Sequence, residues 1–147
     1  QNQINVVGTE FSFTSKLIEG NYPDYEKVFP VGDESKLIVD KNEFNTALSR
    51  ASVLSNEKYR GIRLSLNKDL LKIEANNPEK ESAEEEIKVD YSGPELEIGF
   101  NISYLQESLT TIKDLSAEIV FFGQESSCIV KNKENEDLIH VIMPMRL

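Results

Sequence analysis

The sequence has little of the chemistry that enzymes use at their active sites. Its 147 residues include one histidine, His140, and one cysteine, Cys128. Hydrolytic catalysis needs a nucleophile, a base and a group that orients the base. Metal sites need clusters of His, Cys and carboxylates, and neither residue has such neighbours in the sequence. With no glycine-rich phosphate loop either, the sequence indicates a noncatalytic binding or scaffold module, with no cofactor and no metal.

Long hydrophobic runs and a basic surface are missing too. No apolar run approaches the roughly 18 residues that span a membrane, and residues 1–20 lack the basic-then-apolar order of a signal peptide. We therefore expect a cytoplasmic protein without a membrane partner. The formal net charge of −10 argues against a surface that grips nucleic acid by neutralising phosphates. The negative charge does not argue against a protein that encircles DNA without gripping it.

The single cysteine cannot form an internal disulfide. It lies in the apolar run Cys128-Ile129-Val130, which favours a buried thiol over a nucleophile. A hydrophobic content of 39% is enough for a real core in one domain, or in one domain plus a fragment.

The N-terminal residues predict a β-hairpin. Residues 4–7 and 10–14 form two strand patterns around the turn-prone Gly8 and Thr9. A hairpin alone is marginally stable in water, so we expect these strands to belong to a preceding domain. Pro23 and Pro30 then fix the backbone at both ends of a connector.

The rest of the chain repeats one pattern, strand–helix–strand–strand–strand. In the first unit a strand at 37–39 precedes a helix whose capping box is Asp40 with Glu43. Strands at 62–66 and 71–75 form a hairpin, and a strand at 87–91 closes the unit. The apolar face of the helix consists of Phe44, Ala47, Leu48, Ala51 and Leu54.

The second unit begins with a strand at 95–100, and Asn101 caps its helix. Strands at 117–122 and 127–130 form its hairpin, and a strand at 138–143 closes it. Because helices and strands are segregated, the pattern predicts an α+β fold with the helices on one face of antiparallel sheets. The helix carries Leu105, Leu109, Ile112 and Leu115 at helical spacing.

Two stretches admit more than one interpretation. The acidic residues 79–86 are typical of a solvated face, but beside an open sheet edge they can dock a basic strand of another subunit. In the C-terminal stretch 139–147, Pro144 ends the strand pairing and delivers Met145, Arg146 and Leu147 to a sheet rim. This tail either folds back onto its own core or forms a surface that re-packs around an apolar ligand.

Several ordered motifs give the chain a family resemblance. It resembles the C-terminal part of the bacterial sliding clamps, the beta subunits of DNA polymerase III, in residues 13–17, 23–25, 51–64, 75–79, 91–93, 98–101 and 141–147. The resemblance implies a DNA-clamp (processivity-fold) domain in a ring of two subunits, each with three similar domains. Helices line the DNA hole and sheets face outward. Residues 1–24 would be the remnant of the second domain plus linker, and residues 25–147 the third domain.

The resemblance also implies a processivity factor that holds its partners by short peptides. These partners are the DNA polymerase III catalytic subunit, clamp-loader subunits, other polymerases and mismatch-repair factors. Carried over by position, the third-domain side of the peptide pocket is Pro23, Lys27, Val28, Asn101, Tyr104, Ser127, Val141, Met143, Pro144, Met145, Arg146 and Leu147. Lys27 stands where many relatives have arginine, and Glu125 occupies a position that is apolar in some of them.

The family's homodimer interface and DNA-facing helices are carried over in the same way. The interface corresponds to Val53, Leu54, Tyr59, Glu81, Glu84 and Glu85, and the residues expected on the two DNA-facing helices are Arg50 and Lys113. The full ring would encircle double-stranded DNA without reading its sequence. The competing interpretation is a noncatalytic structural or oligomerisation domain without a peptide pocket.

Overall fold

The computed structural model describes residues 2–134 and 138–146 of the chain. Its secondary structure follows the predicted order closely. The elements are β1 (Gln3–Val7), β2 (Ser12–Lys16), a 3₁₀ helix (Tyr25–Val28), β3 (Ser35–Asp40), α1 (Lys41–Ser52), β4 (Gly61–Asn67), β5 (Leu70–Asn76), β6 (Ser82–Lys88), β7 (Asp90–Tyr91), β8 (Leu96–Asn101), α2 (Ile102–Thr111), β9 (Ser116–Phe121), β10 (Cys128–Asn132) and β11 (Ile139–Ile142).

The predicted N-terminal hairpin is confirmed. Strands β1 and β2 pair antiparallel, and the Gly8 N–H donates to the Phe11 carbonyl at 2.8 Å to close the turn. Its apolar side chains, including Val7 and Phe11, are exposed, and none of its described residues belongs to the buried core. The hairpin is thus a local element that is held mainly by its own strand pairing.

The two repeats exchange their first strands. The five-stranded sheet has the order β11-β10-β9-β3-β7, and the four-stranded sheet has the order β6-β5-β4-β8. Strand β3 starts the first repeat but pairs with β9 of the second, and β8 starts the second repeat but pairs with β4 of the first. Neither repeat can complete its sheet alone, so the two fold as one domain.

Both helices begin at the residues that the sequence predicts. The Glu43 N–H donates to Asp40 Oδ1 at 2.8 Å, and the Ser103 N–H donates to Asn101 Oδ1 at 2.9 Å, so each side chain satisfies a free donor of the first turn. The helices lie side by side, with Gln106 Nε2 donating to Ser49 Oγ at 3.0 Å. Helix α1 packs on β5 and β6 and α2 on β8 and β11, which produces one continuous core.

The predicted strand at 87–91 is wrong as a single element. Strand β6 ends at Lys88, and the chain crosses to the other sheet, where β7 pairs with β3. The Val89 N–H, bonded to the Asp69 carbonyl at 3.2 Å, marks the crossing. Most of the acidic run lies inside β6. In this strand Ala83 and Ile87 turn inward, and the glutamates alternate between its two faces.

The predicted helix through Leu115 is also too long. Helix α2 ends at Thr111, and the N–H groups of Lys113 and Asp114 donate to Asn132 Oδ1 at 2.9 and 3.4 Å, which directs the chain out of the helix. Leu115 is 75% exposed in the connection to β9. Lys113 therefore lies beyond the helix on which the sequence placed it.

We expect Asp40→Ala to destabilise the domain, because the cap of α1 loses its acceptor. The free energy of unfolding should fall by about 1 kcal/mol, which lowers the melting temperature by about 3 °C in a domain of this size. Thermal unfolding followed by circular dichroism measures the change. Asp33→Ala, which removes an exposed aspartate before β3, is the matched control. Equal effects of the two substitutions would contradict the cap.

We also expect the thiol of Cys128 to be unreactive in the folded protein. It is fully buried in β10, and burial raises its pKa to about 12, so almost no thiolate forms at pH 8. Iodoacetamide labelling followed by mass spectrometry should show no adduct on the native chain and one adduct in denaturant. Rapid native labelling would mean that the strand opens readily.

Candidate functional site

The C-terminal tail connects the two sheets. Strand β11 pairs with β10 and ends at Ile142, one residue further from Pro144 than the sequence suggested. The Met145 N–H then donates to the Gly99 carbonyl at 2.8 Å, as an antiparallel bridge to β8. Because β8 is an edge strand of the four-stranded sheet, the tail leaves one sheet and attaches to the other. Leu147 lies outside the described residues.

The tail is partly core and partly surface, and its use as a surface that re-packs around an apolar ligand stays a prediction. Ile142 is buried in the core, whereas Met143 is 75% exposed and Arg146 is exposed. Val141, Pro144 and Met145 are half-buried. A backbone fixed by the Gly99 bridge therefore presents the flexible thioether of Met143 to solvent.

Aromatic side chains flank the tail on two sides. Tyr104 of α2 lines a shallow cleft with Val141 and the neighbouring residues of β11. Tyr59, in the connection between α1 and β4, lines a cavity of about 330 Å³ with Met145 and Arg146. Both rings are more than half exposed. We call Tyr59, Tyr104 and the described tail residues 141–146 the tail surface.

The predicted pocket residue Asn101 positions this surface. Its side-chain oxygen caps α2, and its Nδ2 donates to the Tyr59 carbonyl at 3.3 Å. The Ile102 N–H also donates to the Arg60 carbonyl at 2.9 Å. The amide of Asn101 is therefore occupied in holding the Tyr59 loop beside the start of α2.

The remaining predicted pocket residues lie in other parts of the chain. Ser127 directly precedes Cys128, which pairs with Ile142, so it lies beside the end of β11. Pro23, Lys27 and Val28 are exposed in the connector, where Lys27 Nζ is 3.2 Å from Asp24 Oδ2. Val28 offers an apolar side chain on the 3₁₀ helix.

Tyr59 is separated from the two apolar residues with which the sequence grouped it. Val53 is 78% exposed and lines a different cavity, together with Pro78 and Glu81, while Leu54 is half-buried. The ring of Tyr59 instead shares its cavity with the tail. Sequence reasoning missed this neighbourhood because the bond that holds the loop joins residues 42 positions apart.

The acidic run does not form a single row. Glu85 faces α1 and accepts two hydrogen bonds from the Arg50 guanidinium, at 2.7 and 2.6 Å. These bonds lower the pKa of Glu85 and raise the pKa of Arg50. Glu84 on the opposite face contacts Lys72 Nζ at 2.9 Å, and Glu81 accepts from Asn77 Nδ2 at 2.8 Å before β6 begins.

The two predicted DNA-facing residues thus differ in their position and in their contacts. Arg50 lies on α1 as expected, but its guanidinium is engaged by Glu85. Lys113 is exposed beyond the end of α2. Their contact with DNA stays a prediction.

No catalytic constellation forms among residues 2–134 and 138–146. His140 Nε2 lies 2.7 Å from Thr111 Oγ1, and the thiol of Cys128 is buried. The same residues contain no group of three or more side chains able to hold a metal ion. None of the helices in this part of the chain has the length and apolar character needed to cross a membrane.

Known proteins share this sequence and fold. The family model described as "DNA polymerase III beta subunit, C-terminal domain" matches residues 26–146. The beta sliding clamp of Pseudomonas aeruginosa is 49% identical over 147 residues, which are 100% of this chain and 40% of that protein. The beta sliding clamp of Escherichia coli (strain K12) is 42% identical over 146 residues, which are 99% of this chain and 40% of that protein.

A solved structure agrees with the sequence comparison. The crystal structure of the DNA polymerase III subunit beta from Pseudomonas aeruginosa matches 100% of this chain and 40% of its own, with a TM-score of 0.94 and 49% identity. The chain therefore spans about 40% of the length of these relatives. The α+β clamp fold predicted from the sequence is confirmed, and the chain belongs to the DNA polymerase III beta subunit, or beta sliding clamp, family, of which it contains the C-terminal domain.

Proposed function

We propose that this chain is the C-terminal part of a cytoplasmic sliding clamp, a noncatalytic processivity factor for DNA replication. In full length it forms a homodimeric ring around double-stranded DNA. The observation that carries the proposal is the tail surface, in which Met143, Tyr59 and Tyr104 are exposed while the bond from Met145 to Gly99 holds the backbone in place. A structural domain without a binding role has no need of such a surface.

The tail surface suits an extended peptide with apolar anchors. Met143 and the rings of Tyr59 and Tyr104 offer exposed apolar area beside clefts. Leucine or phenylalanine side chains gain most of their binding free energy by leaving water in such clefts. The peptides come from the DNA polymerase III catalytic subunit, the clamp-loader subunits, other polymerases and mismatch-repair factors. Pro23, Lys27, Val28 and Ser127 complete this side of the pocket.

The edge strand β6 is the proposed contact with the second subunit. Its outer backbone groups have no partner strand among the described residues, and edge strands of this kind pair readily with other chains. Val53 offers an exposed apolar contact, Leu54 is half-buried beside it, and Glu81 lines the same cavity as Val53. Glu84 projects from the outer face and shares the single ammonium of Lys72 with Glu74, which leaves a net negative charge to attract basic residues of the partner.

Contact with DNA is loose in this proposal. With a net charge of −10 the chain does not compete strongly for phosphates, which suits a ring that slides. Arg50 and Lys113 supply local positive charge, and Arg50 shares its charge with Glu85. No residue is expected to read bases.

We expect a peptide with a Gln-x-x-Leu-Phe pattern to bind the chain, and Met143→Glu to weaken this binding at least about tenfold, because a carboxylate replaces an apolar contact. Fluorescence anisotropy with a labelled peptide measures the change. Val53→Glu is the matched control, since Val53 is exposed to a similar degree but lines a cavity to which no residue of the tail surface contributes.

Deleting residues 143–147 should abolish peptide binding. Circular dichroism checks that the chain still folds, because the deletion also removes the Met145 to Gly99 bond. Unchanged titrations for both the deletion and Met143→Glu would contradict the pocket and favour the structural or oligomerisation domain.

We further expect Val53→Ala and Leu54→Ala to weaken docking of the chain to the first domain of a full-length clamp, because each removes apolar area from the interface. Docking is measured by analytical ultracentrifugation. Val53→Ala should leave the melting temperature nearly unchanged, since its side chain is exposed, whereas Leu54→Ala should lower it slightly. Val31→Ala, an exposed valine in the connector, is the control. Docking that is indifferent to both substitutions would show that the interface lies elsewhere.

A further inference from the structure

We propose that Glu125 makes the tail surface selective for partner peptides that carry a lysine or arginine beside their apolar anchors. The inference rests on the proposed function, because it takes the tail surface as the place where partner peptides bind. It adds a charge preference that is specific to the residues of this chain.

A second cleft continues from the tail surface. It has a volume of about 370 Å³ and shares Met145 and Arg146 with the cavity that Tyr59 lines. Its other walls come from Arg63 and Glu97 on the four-stranded sheet and from Glu125 in the connection between β9 and β10. A peptide that lies against Met145 therefore borders this cleft as well.

The cleft holds two charges that have no ion-pair partner among the described residues. Arg63 Nε and Glu97 Oε1 lie 3.2 Å apart and neutralise each other. Glu125 and Arg146 are both exposed, and neither forms an ion pair with another residue in the described part of the chain. A carboxylate and a guanidinium thus remain available to an incoming peptide.

Of these two charges, the carboxylate is the one that decides selectivity. Gly123, with a φ of 112°, lets the chain turn after β9 and brings Glu125 to the mouth of the cleft. A basic side chain of the peptide is attracted by Glu125 and by the net charge of −10, whereas an acidic one is attracted by Arg146 alone against that field.

Three labelled peptides test the proposal. They share the Gln-x-x-Leu-Phe core and differ only in two flanking residues, which are both lysine, both serine or both glutamate. At low salt the unmodified chain should bind the lysine-flanked peptide about two- to fivefold more tightly than the serine-flanked one, as measured by anisotropy. Glu125→Gln should remove this preference, and Glu125→Lys should reverse it in favour of glutamate. High salt should reduce it.

Glu86→Gln is the matched control, because it removes the same charge from the exposed face of β6. This variant should keep the preference. Two results would overturn the role of Glu125 without affecting the proposed function, provided that the serine-flanked peptide still binds. The first is a lysine preference that survives Glu125→Gln, and the second is a preference that falls equally in Glu86→Gln. If the serine-flanked peptide fails to bind the unmodified chain, the proposed function fails and the inference fails with it.

Discussion

The exchange of β3 and β8 between the two repeats is the constraint on which the rest of the structure depends. Each exchanged strand leads directly into a helix, so β3 positions α1 and β8 positions α2. The exchange therefore sets the helices side by side, where Gln106 bonds to Ser49. Apolar side chains from both sheets and both helices then bury one another in a single cluster, which stabilises the domain as a unit.

The same exchange creates the place where the tail attaches. Because β8 belongs to the second repeat but forms an edge of the first repeat's sheet, the chain leaving β11 can reach it. The bond from Met145 to Gly99 fixes the backbone of the tail, while the side chain of Met143 is 75% exposed. A fixed backbone with adaptable side chains lowers the entropy cost of binding and still accepts different apolar anchors.

The acidic side chains of the edge strand β6 and of the cleft beside the tail differ in their pairing. Near the edge strand β6, Glu85 is paired with Arg50, and Glu84 shares Lys72 with Glu74. Near the tail, Glu125 is unpaired within the described residues and faces the cleft that continues from Met145. A count of acidic residues in the sequence does not distinguish these cases, because pairing depends on which side chains the fold brings together.

The sequence by itself determined the elements and most of their boundaries. Asp40 and Asn101 cap their helices through bonds to residues two or three positions away, and the alternation in β4 and β5 is a property of each strand. Tertiary structure decided the rest. The break at Val89, the early end of α2, after which Lys113 donates to Asn132, and the placement of Tyr59 beside Met145 each depend on bonds or packing between residues far apart in the chain. Such contacts leave no periodic trace in the sequence, since they form only after the repeats have exchanged strands and packed.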